Sequence, residues 1–197
     1  VKEQAKTILE SARRLRESGQ WKDAEQALRT IDNADDATEA MIKFELARCL
    51  HALSRYQEAK SLLEELVASS SEMPGEQVAE VKLMLGDILL FTDEMRGMEL
   101  IEEAVQQGLS NASADYAGGL LASNWGDAKQ SFHDAVREAP WNIQAHRMYC
   151  SSLALTGEFE KAQDHVQLCQ IFFKDNPEFL AVEAVFCAMQ HNEDGAK

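Results

Sequence analysis

Two histidine–cysteine pairs are the side chains of this sequence most capable of chemistry. His146 and Cys150 are four residues apart, and His165 and Cys169 repeat this spacing further along the chain. Four residues span about one helical turn, so each pair lies on one face if its segment is helical. Imidazole and thiolate groups are the ligands of tetrahedral zinc sites, so two such pairs on facing helices could hold a metal ion.

Core packing is the competing interpretation of the same pairs, and it is the one we predict. Cys150 and Cys169 fall at positions that are small and buried in the other copies of a repeat described below, and a free cysteine packs as a small hydrophobic residue. The remaining cysteines, Cys49 and Cys187, form no CxxC pair. Reduced thiols in a cytoplasmic setting are therefore expected. We predict no metal and no cofactor.

The sequence has no arrangement typical of an enzyme. It contains no GxSxG, no HExxH and no glycine-rich phosphate loop, so we predict a non-catalytic protein. Its formal net charge of -15 disfavours binding to nucleic acid or to anionic membranes. No segment approaches the ~18 consecutive apolar residues of a membrane span, so we predict no membrane insertion.

The elements that would position these side chains are helices, and they recur. The chain has 197 residues, with only 3 prolines and 10 glycines, and good helix formers dominate it. Starting from Ala24, small or apolar residues recur at spacings of 35, 39, 30, 34 and 34; they are Ala59, Met98, Ala128, Ala162 and Ala196. Three residues earlier, four of the six copies have an aromatic residue: Trp21, Tyr56, Trp125 and Phe159.

This pattern resembles the tetratricopeptide repeat (TPR) family, whose helix–turn–helix unit has a period of 34 residues. The best copy is 109–142, where Trp125, Ala128, Phe132, Ala135 and Pro140 match the family pattern. The resemblance implies an all-α fold, a right-handed superhelical α-solenoid of antiparallel helix pairs in a single domain over 1–197. The predicted repeats lie near 5–38, 40–73, 79–108, 109–142 and 143–176, with a partial sixth at 177–197.

Gly118 and Gly119 interrupt the pattern within the first helix of repeat four. Two adjacent glycines cost roughly 1–2 kcal/mol in helix propensity. Three explanations stay open: a tolerated irregularity, a bend within 109–122 that divides the array, or a junction introduced between two segments.

The resemblance also implies a function in protein–protein interaction, as a scaffold or adaptor that forms part of a larger protein or complex. Such arrays bind a peptide or helix in a concave groove lined by first-helix residues. The residues mapped to this groove are Leu9, Arg13, Arg16, Met41, Phe44, Arg48, Leu83, Leu90 and Phe91. We expect a partner segment that combines acidic with large apolar residues, and Phe44 and Phe91 are predicted to be its main anchors.

Three alternatives remain at this stage. The first is a co-chaperone segment that holds many hydrophobic clients. The second is a regulatory module of a multidomain enzyme such as a kinase. Self-association is the third, through the apolar side of the last predicted helix, which lacks the polar cap of a typical solenoid.

Overall fold

The structure is a computed structural model that describes residues 2–32, 35–69 and 73–173, with side chains from Gln4 onward. These residues form ten α-helices and no strand, which confirms the all-α prediction for this part of the chain. The helices are α1 (Lys2–Glu17), α2 (Trp21–Arg29), α3 (Asp36–Ala52), α4 (Tyr56–Ala68), α5 (Gly75–Leu89), α6 (Glu94–Gln107), α7 (Asn111–Leu121), α8 (Trp125–Glu138), α9 (Ile143–Leu155) and α10 (Phe159–Phe172). The predicted sixth repeat and its uncovered apolar side lie outside the described residues.

Short turns join the helices in pairs, each with a first and a second helix. The turn has three residues in four pairs and four residues, 90–93, between α5 and α6. Several helices begin at a side-chain cap in which a carboxylate or amide accepts a backbone N–H; Asp35, Asp93, Asn124 and Asn142 cap α3, α6, α8 and α9. Among the described helices, none is both long enough and apolar enough to cross a membrane.

Three of the turns close in the same left-handed conformation. Gly19, Ser54 and Gly157 have φ angles of 78°, 61° and 82°. In each turn the following residue donates its N–H to a carbonyl five residues earlier, at 2.8–2.9 Å; the bonds join Gln20 to Leu15, Arg55 to Leu50 and Glu158 to Leu153. Glycine is the preferred residue for this left-handed conformation at a helix C-terminus. Ser54 adopts the same conformation although its Cβ makes the conformation less favourable.

Replacing Ser54 with glycine is expected to raise the free energy of unfolding by about 0.5–1 kcal/mol, because the left-handed strain disappears. Urea denaturation of the full chain measures this change. The matched control is Gly19→Ser, at the equivalent turn of the first pair. This substitution should lower the free energy of unfolding by a similar amount. A loss of stability in Ser54→Gly would show that the contacts of the serine hydroxyl outweigh the backbone strain.

A common register relates the five second helices. Three residues after each helix begins lies a small buried residue: Ala24, Ala59, Gly97, Ala128 and Ala162. Four residues further lies a fully buried larger residue: Leu28, Leu63, Ile101, Phe132 and Val166. The sequence-based choice of Met98 for the third pair was therefore wrong by one residue. Gly97 is buried against α5, whereas Met98 is only half-buried.

Gly97 is where α5 and α6 approach most closely. A Cβ at this position would lie 2.9 Å from the carbonyl oxygen of Gly86 and 2.9 Å from the backbone N of Leu90. A Cβ on Gly86 would in turn lie 2.8 Å from the carbonyl oxygen of Gly97. The two glycines therefore allow backbone to pack directly against backbone.

The described chain divides into two compact units, one ending at Ala117 and the other beginning at Gly118. The core of unit 1 includes buried side chains of α3, α4, α5 and α6, among them Phe44, Leu63 and Leu85. In unit 2 a smaller core joins α9 to α10 around Cys150, Leu153 and Val166.

Gly118 and Gly119 both lie within α7, which continues to Leu121. In unit 2, a methyl group on Gly119 would overlap the ring of the fully buried Phe132, whereas one on Gly118 would meet only Ser131 Oγ at 3.7 Å. Close packing thus explains the second glycine. The bend proposed for 109–122 stays a prediction.

Candidate functional site

A network of charged side chains joins the first helices of unit 1. We call it the first-helix network; its members are Arg13 and Arg16 of α1, Glu45, Arg48 and His51 of α3, and Glu80 and Asp87 of α5. Residues three or four apart share a helix face, so each helix can present several of these side chains on one side.

Glu45 is the centre of this network. Its Oε1 accepts a hydrogen bond from Arg13 Nε at 2.9 Å, and its Oε2 lies 3.3 Å from Arg16 Nε. A third guanidinium, that of Arg48, lies 3.9 Å away. The Glu45 side chain is only 4% exposed, so its charge needs these partners. Burial lowers the pKa of Arg16 and the charge of Arg48 lowers it further, whereas Glu45 opposes both effects.

Arg48 connects α3 to α5. Its Nη2 lies 3.6 Å from Glu80 Oε2, and its guanidinium carbon lies 4.5 Å from the centre of the Phe44 ring. A guanidinium at this distance from an aromatic ring makes a favourable cation–π contact. Arg48 therefore packs on Phe44 as well as pairing with two carboxylates.

The two remaining members, His51 and Asp87, form a separate and buried pair. His51 Nε2 lies 3.0 Å from Asp87 Oδ2, and the Tyr116 hydroxyl donates to the same oxygen at 3.1 Å. Asp87 is 2% exposed, and His51 and Tyr116 are also buried. A substrate cannot reach a buried histidine–carboxylate pair, so this group joins α3, α5 and the middle of α7 structurally.

The predicted groove residues separate into two groups. Leu9, Phe44 and Leu83 are buried, and Arg16 is nearly so. This corrects the expectation that Phe44 and Leu83 offer an apolar surface, because Phe44 packs in the core of unit 1 against residues of α4 and α5. The other predicted residues reach solvent to some extent: Arg13, Met41, Arg48, Leu90 and Phe91. Phe91 is 74% exposed and lies in the turn after α5.

Glu45 and Glu80 of this network, and Tyr116 that donates to Asp87, were not predicted from the sequence. The spacing of Glu45 and Arg48, three residues apart on a predicted helix, was the available signal. The contact between Arg13 and Glu45 joins residues 32 positions apart, so no local pattern could indicate it.

In unit 2, three of the four residues of the two histidine–cysteine pairs lie close together. His146 Nδ1 lies 3.0 Å from His165 Nε2 and 3.3 Å from Cys169 Sγ. The imidazole rings of His146 and His165 stack, with their centres 5.1 Å apart. Among the described residues, His146, His165 and Cys169 form a group whose ligand atoms all lie within 4.8 Å of one another. Cys150 is hydrogen-bonded to Cys169, and both thiols are free.

Five helix pairs with one shared register identify the type of array. Each pair is a helix–turn–helix unit with its small residue in the second helix, and the units follow at intervals near 34 residues. The described helices form a TPR-like array. Its regular members begin their second helices at Trp21, Tyr56, Trp125 and Phe159, and the irregular third begins at Glu94.

Solved TPR-like structures are similar to this array. A Podosopora anserina putative kinesin light chain with nearly identical TPR-like repeats is 20% identical, with a TM-score of 0.47 over 91% of this chain and 94% of its own. A single-residue variant of that protein is also 20% identical, with a TM-score of 0.47 over 85% of this chain and 93% of its own. MamA is 18% identical, with a TM-score of 0.43 over 90% of this chain and 96% of its own. No family model and no curated protein sequence matches the chain.

Proposed function

We propose that this chain is a non-catalytic protein-interaction module, and that the face of unit 1 around the first-helix network binds a peptide or helix of another protein. The partly exposed arginines carry the proposal: the Arg13 side chain is 39% exposed and that of Arg48 is 27% exposed. A guanidinium has five N–H groups in a planar fork, which suits recognition of carboxylates.

The partly exposed arginines favour an acidic ligand. Arg13 and Arg48 lie beside Glu45 and Glu80, and the buried Arg16 also pairs with Glu17, so three glutamates match three arginines. On a chain whose formal net charge is -15, the exposed parts of Arg13 and Arg48 are local positive groups. A partner carboxylate would be steered towards them during encounter.

Apolar contacts would come from the turn after α5. Phe91 is 74% exposed, and Met95 in the first turn of α6 is also exposed. Large apolar side chains at a surface are favourable anchors for a partner because their burial supplies most of the binding energy. This supports a partner segment with large apolar residues beside its acidic ones.

Peptide display against the purified full chain tests the proposal. We expect enrichment of segments in which Asp or Glu adjoins Leu, Phe or Trp. Affinity of a selected peptide should fall at least about tenfold in Arg13→Gln/Arg48→Gln and also on raising the salt concentration. The matched control is Arg29→Gln/Arg96→Gln, which removes two exposed arginines from second helices and should leave binding unchanged.

Two outcomes would contradict this function. Equal loss of affinity in the control variant would place binding outside the first-helix face, provided that circular dichroism shows both variants to be folded. Enrichment of many unrelated hydrophobic sequences without acidic residues would instead favour the client-holding alternative.

A further inference from the structure

The ligand atoms of the unit 2 cluster are spaced as in a tetrahedral metal site. Zn–N and Zn–S bonds of ordinary length give separations of about 3.3 Å between two nitrogens and about 3.6 Å between nitrogen and sulfur. The distances from His146 Nδ1 are 3.0 Å to His165 Nε2 and 3.3 Å to Cys169 Sγ. The third separation, between His165 Nε2 and Cys169 Sγ, is within 4.8 Å, so the three atoms are close enough to converge on one ion after small shifts.

The orientation of His146 supplies a second, independent observation. Its Nε2 lies 3.0 Å from the carbonyl oxygen of Pro140. A carbonyl only accepts, so Nε2 carries the proton and Nδ1 directs its lone pair at the cluster. Metal-bound histidines are held in this way, with the second ring nitrogen donating to a carbonyl or carboxylate.

Without a metal, the single lone pair of His146 Nδ1 faces two neighbouring atoms. His146 Nδ1 has one lone pair, yet both His165 Nε2 and Cys169 Sγ lie within hydrogen-bond distance of it. One cation would accept lone pairs from all three atoms together.

We infer that His146, His165 and Cys169 bind a structural zinc ion that joins α9 to α10. Nitrogen and sulfur ligands together select zinc over magnesium or calcium. Cys150 lies beside Cys169 but outside the group of three, so the ion has three protein ligands. His146 and Cys169 are buried and His165 is half-buried, which suits a structural site. The expectation of cysteines that serve only in packing is the alternative that the experiment tests.

Cobalt and zinc titrations of the full chain, reduced and stripped with a chelator, test this inference. Co²⁺ is the probe because thiolate-to-cobalt charge transfer reports a bound sulfur, and displacement by Zn²⁺ gives the zinc affinity. We expect one ion per chain and a rise in melting temperature with zinc. Cys169→Ser and His165→Asn should each weaken zinc binding by about 100-fold or more.

Matched controls separate a site from nonspecific binding. Cys49→Ser removes another buried free cysteine, and His133→Asn removes an exposed histidine of α8; both should bind zinc as the unaltered chain does. His165 is only half-buried, so its variant is expected to fold even if Cys169→Ser does not. Absence of a charge-transfer band in the unaltered chain would overturn the inference, as would equal weakening in the control variants.

Discussion

Phe44→Ala is expected to lower the free energy of unfolding by about 3–5 kcal/mol. Phe44 is 3% exposed and belongs to the core of unit 1 with buried residues of α4 and α5. Truncation removes its apolar contacts and leaves a cavity, and it also removes the ring on which Arg48 packs. Urea denaturation followed by circular dichroism, with the transition of unit 1 resolved, measures the loss.

Phe91→Ala is the matched control for this prediction. The same side chain is removed, but from a position that is 74% exposed, so stability should change by no more than about 0.5 kcal/mol. Equal stability of the two variants would show that Phe44 is not a core residue. The original expectation of an aromatic anchor in the groove would then regain its support.

Gly97→Ala is expected to cost about 2 kcal/mol or more, even though alanine is the better helix former. The new methyl group would lie 2.9 Å from the Gly86 carbonyl oxygen and from the Leu90 nitrogen. Both are backbone atoms, so the clash is relieved only by moving α5 away from α6. Denaturant titration measures the loss of stability. A variant more stable than the original chain would show that α5 and α6 lie further apart at Gly97 than in the structure.

Gly75→Ala provides a control within the same unit. Gly75 begins α5, and a Cβ there meets no atom within 4 Å. The substitution should leave stability unchanged or raise it by up to about 1 kcal/mol, since alanine favours the helix. Similar losses in both variants would show that the effect of Gly97→Ala does not come from its close approach to α5.

The sequence by itself determined the helices and their pairing. The aromatic residues Trp21, Tyr56, Trp125 and Phe159 mark the first residues of four second helices, as predicted. Glycines at 19 and 157 mark left-handed turns. These features are predictable because caps, turns and the spacing of apolar residues depend on the nearby chain.

Tertiary structure alone decided the register of the third pair. Gly97 and not Met98 lies against α5, where its missing Cβ lets the backbone of α6 contact Gly86. The spacing of apolar residues could not show this, because the choice between two adjacent residues depends on the helix that packs against them.

The exposure of the candidate binding residues was likewise decided by packing between helix pairs. Phe44 and Phe91 have the same side chain, yet one is buried in the core and the other lies exposed in a turn. The bonds of Glu45 with α1 and of His146 with α10 join residues 19 to 32 positions apart. Helical periodicity indicates which side chains share a face, but burial and charge pairing depend on which other helix covers that face.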